Sequence, residues 1–153
     1  MLHHVDVPTL LAQLPGGTLE PGESVGFAGL REAIEETGLA HLRPVRFLGA
    51  RRIEPGRSLC GQTLDTRFVH LECARATPER WASVEATPHG GGDPVRYECA
   101  WVPLASPGPL DARDALAPAL VRASLARGAA RRPPGAARST SLRAAAGRTR
   151  SRT

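Results

Sequence analysis

The 153 residues are enough for one domain with a single hydrophobic core, provided most of the chain folds. All 20 basic residues are arginine, and seven of them follow Gly128, where no acidic residue occurs; residues 1–127 hold 13 arginines against 15 carboxylates, a net of −2. Residues 1–127 are thus mildly acidic, and the net charge of +5 comes from the end of the chain, so the basic balance does not by itself indicate a nucleic-acid-binding domain. No run of 18 apolar residues spans a membrane, and the N-terminus lacks the basic and apolar regions of a signal peptide. Cys60, Cys73 and Cys99 are odd in number and form no CxxC pair, which points to reduced thiols in a cytoplasmic protein.

In chain order, LLAQL (10–14) suits a short strand entering a turn at Pro15, and PGGTLEPGES is a loop rich in glycine and proline. Ser24 is a candidate N-cap for a helix from Val25 to Thr37, with Gly38 as its left-handed stop. On that helix Phe27, Leu30, Ile34 and Thr37 share one side, so packing is expected there, with Glu32, Glu35 and Glu36 free on the other. Residues 44–53 and 66–74 alternate as strands, TPERW (77–81) reads as a turn opening a short helical segment, and HGGGD (89–93) leads into a strand ending at WVPL (101–104). Residues 110–128 have helical spacing, with Pro118 delaying or kinking the helix. The order implies an α+β domain over residues 1–127. Residues 128–153, rich in arginine and alanine, read as a disordered tail, since large apolar groups are nearly absent; no aromatic residue interleaves its arginines to stack on bases.

Glu32, Glu35 and Glu36 repel one another at helical spacings, so the cluster is costly unless a cation lies among them. Gly17 is followed after five residues by Glu23 and after seven more by Arg31-Glu32; then come Ala33, Glu35-Glu36, Gly38 and Leu39. This spacing resembles the Nudix box of the MutT-like Nudix hydrolase family, flanked by the LPGG and EPGE usual there. The resemblance implies an α/β/α sandwich with a mixed β-sheet. It also implies Mg²⁺-dependent cleavage, with Mn²⁺ as a substitute, of a phosphoanhydride bond in a nucleoside diphosphate linked to another group.

By that resemblance Glu35 and Glu36 are the main metal ligands, with the carbonyl of Gly16 as a further one. Glu32 is a ligand or the base that takes a proton from water, and Arg31 orients carboxylates. Glu23 and Arg31 fix the loop on the helix, while Gly17 and Gly38 serve backbone geometry. Asp93, Glu85 and Glu79 are candidates for a late acid that completes the site. Pro55 lies near a position used by ADP-ribose-type members, and Arg51, Arg52 and Arg57 could meet a phosphate. Trp81 and Trp101 could stack on a base, although core packing of Trp101 is the plainer expectation.

Family domains carry a strand or two more before LPGG, so an open sheet edge and pairing of that edge with a second copy are expected here. The alternative function is a catalytically impaired Nudix-fold remnant that binds a nucleotide or a protein.

Overall fold

The computed structural model describes residues 1–54, 63–89, 91–130 and 143–151. Pro55, Arg57 and Cys60 lie outside these residues. Two sheets and two helices make up the described chain. A three-stranded antiparallel sheet runs β1 (Leu2–His4), β6 (Val95–Ala100), β5 (Arg80–Glu85). A four-stranded mixed sheet runs β2 (Gly16–Thr18), β7 (Arg143–Ser151), β4 (Leu64–Cys73), β3 (Leu42–Ile53), with β2 and β7 parallel and the rest antiparallel. Helix α1 (Val25–Thr37) touches both sheets, and α2 (Ala117–Ala130) packs on the other face of the mixed sheet.

Helix α1 has the expected ends. Ser24 accepts a bond from the Phe27 amide at 3.2 Å, and Gly38, at φ 70°, donates its N–H to the Ile34 carbonyl at 2.8 Å. Its orientation is not the expected one. The buried positions are Ala28, Gly29, Glu32, Ala33, Glu36 and Thr37, whereas Phe27 is 62% exposed and Ile34 37%. The helix therefore turns two of its carboxylates inward.

Strand β4 joins the layers because alternate residues serve opposite faces. Val69, Leu71 and Cys73 pack with Ala33 of α1, while Phe68 packs with Ala117 and Val121 of α2. Pro118 sits in the first turn of α2, where its missing N–H costs nothing. Between β4 and α2, buried His70 bonds Ser124 Oγ through Nδ1 at 3.1 Å, and its Nε2 has no hydrogen-bond partner among the described residues. Burial lowers the His70 pKa, so the imidazole stays neutral in the fold and charges first in the unfolded chain. Its contribution is complete above the unfolded pKa, about 6.5, and is lost as pH falls toward the lower folded value. Melting temperatures of the parent and of His70→Gln should accordingly diverge as pH drops from 7.5 to 5, the parent losing more. Parallel curves would show that the ring is charged or solvated.

Several sequence expectations are corrected. LLAQL is no strand: Ala12 and Gln13 make only isolated bridges, to Leu110 and Leu2, and the first strand is Leu2–His4. TPERW leads into strand β5 and not into a helix. The largest correction concerns the end of the chain. Helix α2 continues to Ala130, and residues 143–151, read from composition as part of a disordered tail, form an inner strand pairing with β4 from Asp65↔Ser151 to Cys73↔Arg143. Small residues are what this position demands: Gly147 lies against α1, where a Cβ would come within 2.8 Å of the Gly29 carbonyl oxygen. The sheet beneath α1 is thus filled from the C-terminal side, and the expected pairing of an open edge there with a second copy has no support.

Candidate active site

The glycine loop and α1 meet carboxylate to backbone. Gly16, the first residue of β2, donates its N–H to Glu36 at 2.6 Å. A Cβ on Gly17 would overlap the Glu32 carboxylate where it now lies, so glycine lets the loop and this carboxylate meet without displacing either. Arg31 clasps the loop to the helix. It donates to both oxygens of Glu23 at 3.0 and 3.1 Å, to the Thr18 carbonyl at 3.1 Å, to Glu32 at 2.9 Å and to Glu35 at 3.2 Å. The forked guanidinium is suited to this, offering five donors in one plane. Its bonds to Glu23 hold the Arg31 pKa up and the Glu23 pKa down.

The three helix carboxylates differ in setting. Glu35 is about half exposed. Glu32 is 3% and Glu36 5% exposed. Burial raises the Glu32 pKa, opposed by Arg31, and pushes Glu36 up to about 8, opposed by the Gly16 N–H and Arg148. Glu85 and the helix carboxylates add mutual repulsion. A buried acidic cluster with one clasping arginine is short of positive charge.

Of the late acids, the fold brings one to the cluster. Glu85, at the end of β5, accepts from the Tyr97 hydroxyl at 3.1 Å, and the same hydroxyl lies 3.3 Å from Glu36 Oε1. Asp93 is exposed, and so is Glu79, whose carbonyl takes the Trp101 amide. Tyr97 was not singled out by the sequence reading. Its β6 register against Ser83 places it beside Glu85, which only strand pairing reveals. Tyr97→Phe would leave two carboxylates facing each other without the shared donor. A bond to a charged group contributes about 1.5–3 kcal/mol, so a melting temperature lower by about 3–12 °C is expected. An unchanged melting temperature would remove the hydroxyl from the network.

The remaining candidates lie elsewhere. Arg51 donates to the Ala112 carbonyl at 3.0 Å and Arg52 pairs with Asp65 at 3.8 Å. Trp81 and Trp101 line an apolar cavity of about 470 Å³ together with Leu14, Ala33, Leu104 and Val121, and no carboxylate of the cluster lines it. Trp101 also packs on the core beside Ala33, and Val102 is exposed.

Residues 3–122 match the NUDIX domain family. The chain belongs to the Nudix family. No solved structure matches it significantly. Nudix enzymes act on pyrophosphate bonds of nucleotide derivatives and generally use divalent metals. Among the described residues of this Nudix domain, no three His, Cys, Asp or Glu side chains converge as they would around an ion. The reason is visible: Arg31 engages Glu32 and Glu35, while Gly16 and Tyr97 engage Glu36. The donor set nevertheless fits a hard divalent cation. It consists of carboxylate oxygens, two of them buried and short of positive charge, beside a glycine cradle that any Cβ would fill. No helix of the described residues is long and apolar enough to cross a membrane.

Proposed function

We propose that the protein is a Mg²⁺-dependent hydrolase of a nucleoside diphosphate linked to another group, cleaving a phosphoanhydride bond, with Mn²⁺ able to replace Mg²⁺. One observation carries the reading: Glu32 and Glu36 are buried against a glycine loop with Glu85 linked to Glu36 through Tyr97, an acidic cluster poorly suited to an anionic substrate unless a cation intervenes. Glu35, Glu36, Glu32 and the Gly16 carbonyl would hold the ion. When bound, it would neutralise phosphate charge and lower the pKa of a water molecule. Glu32 would take the proton from the attacking water, with Glu85 as a second acid of the site. Arg31 fixes where Glu32 and Glu35 point, and Glu23 fixes Arg31. Gly17 and Gly38 shape the loop and the helix end. Two buried unpaired thiols, Cys73 and Cys99, support a reducing, cytoplasmic setting.

The existing ties on Glu32, Glu35 and Glu36 favour a second reading, a non-catalytic nucleotide- or protein-binding module. A panel of nucleoside diphosphate derivatives, assayed with Mg²⁺ and with EDTA, separates the two. Release of a phosphate-containing product, abolished by EDTA, is expected. A folded chain inert toward the whole panel with both Mg²⁺ and Mn²⁺ would favour the binding module.

A further inference from the structure

Strand β2 carries the glycine loop, yet it lies at the edge of the mixed sheet, and among the described residues its one sheet neighbour is β7. Three register pairs join them: Gly16↔Arg148, Gly17↔Thr149 and Thr18↔Arg150. The Arg148 amide also donates to the Pro15 carbonyl at 2.9 Å. Strand β7 lies wholly beyond residues 3–122, the part matching the family. A segment outside the Nudix match therefore ties the glycine loop to the body of the sheet.

The fit is close on both faces. A Cβ on Gly16 would overlap the Arg148 side chain and carbonyl, and Gly147 meets Gly29 of α1. The Arg148 side chain is 2% exposed. It donates from Nη2 to Gln13 Oε1 at 3.1 Å and faces Asp114 Oδ1 at 3.5 Å, while Asp114 Oδ2 accepts the Leu14 amide at 2.8 Å. Arg148 and Asp114 together grip residues 13–15, the approach to Gly16. Among the described residues its Nε has no hydrogen-bond partner and its Nη1 has only the Asp114 ion pair, so this guanidinium is kept buried at a cost, as expected of a group retained for position more than for stability.

We propose that β7 is part of the active site and that Arg148 is a positioning residue, setting the glycine strand, and through it Glu36 and Glu32, in the geometry that binds the divalent ion. This rests on the metal-dependent reading above. The position of β2 is then defined from two sides: α1 holds it through Arg31 and Glu36, and β7 holds it through Arg148 and the parallel pairing. An α1 clasp alone would leave the loop free to move with its carboxylates.

The test uses the full chain with Arg148→Met and Arg148→Lys, reading Mn²⁺ affinity by titration calorimetry, kcat and KM separately, and amide hydrogen exchange. Arg148→Met should weaken Mn²⁺ binding at least about tenfold and lower kcat, with KM little changed. Arg148→Lys, which keeps the charge, should recover part of both. Amides of residues 16–18 should lose protection in Arg148→Met while those of β3 and β4 keep it. A folded Arg148→Met protein with parental Mn²⁺ affinity and kcat overturns the proposal. Should that variant not fold, hydrogen exchange of the parent decides: residues 143–151 must exchange as slowly as β4, and exchange at the rate of an unstructured peptide overturns the proposal too. A parent that binds no Mn²⁺ would sink the hydrolase reading and the ion-positioning role of Arg148 with it, and the exchange data would then judge only whether β7 tethers β2.

Discussion

Glu35→Gln and Glu36→Gln should each lower turnover at least about a hundredfold, the usual scale for losing one group in acid–base or electrostatic catalysis. Their effects on stability should differ. Glu35 is about half exposed and gives up one 3.2 Å bond from Arg31, an exposed i,i+4 pair that contributes about 0.3–0.5 kcal/mol, so its melting temperature should scarcely move. Glu36 is buried, and its carboxyl is pushed up to about 8 chiefly by desolvation. Glutamine can still accept the Gly16 N–H through its amide oxygen while removing the buried charge. Glu36→Gln should therefore not lower the melting temperature measured in EDTA at pH 8, although its turnover is expected to fall. Opposite demands of stability and chemistry on one side chain are typical of active sites. A Glu36→Gln protein that retains parental turnover, or loses it only by unfolding, would remove Glu36 from the ligand set. Added Mg²⁺ should raise the melting temperature of the parent and much less that of either variant, because only a state that binds the ion is stabilised by it.

What the sequence disclosed follows local rules. Helix α1 and its caps were legible because Ser24 and Gly38 are read from neighbours alone. Strands β3 and β4 were legible from apolar alternation, and β6 from the glycine loop that precedes it. Orientation was not. The apolar stripe of α1 suggested that Phe27 and Ile34 face the core, but Glu32 and Glu36 are buried instead, since the glycine loop and β7 come down on the carboxylate side. Local pattern and tertiary placement part company where the site is built. Strand β5 was missed for a related reason: RWASVE carries the polar Ser83 and Glu85 on the partly buried side and the exposed Ala82 and Val84 on the other. Strand β7 was missed because the composition argument counts large apolar groups. An inner strand squeezed between β2, β4 and α1 instead needs small ones, and its backbone is satisfied by pairing on both sides. The arginine that looked like part of a solvated basic end, Arg148, is among the most buried side chains described. Glu85 stood level with Asp93 in the sequence, and the shared Tyr97 hydroxyl is what separates them.

Gly17→Ala should be disproportionately damaging for the addition of one methyl group. The backbone of β2 at Gly17 pairs with Thr149, and its Cα faces the Glu32 carboxylate, so a new Cβ must displace either that carboxylate or the strand. Either Glu32 swings away, giving up its 2.9 Å bond from Arg31, or β2 lifts from α1 and strains the 2.6 Å bond from Gly16 to Glu36. Overpacking of this kind costs about 1–3 kcal/mol, which for a domain of this size corresponds to a melting temperature lower by about 2–12 °C. The chemical loss should be larger than that suggests. A displacement of about 1 Å in a catalytic group is enough for a hundredfold drop in rate, and either route moves a group proposed to hold the ion or take the proton. The expected result is a folded protein with at least about a hundredfold lower kcat and weakened Mn²⁺ binding. Gly22 offers the internal comparison: it lies in the same loop and nothing stands within 4 Å of its would-be Cβ, but its φ of 80° favours glycine. Gly22→Ala should therefore cost stability through backbone strain, about 1 kcal/mol, while leaving Mn²⁺ affinity intact. Equal loss of Mn²⁺ affinity in both variants would mean that the loop responds as a whole to any added methyl, and that the contact between Gly17 and Glu32 has no special part in shaping the site.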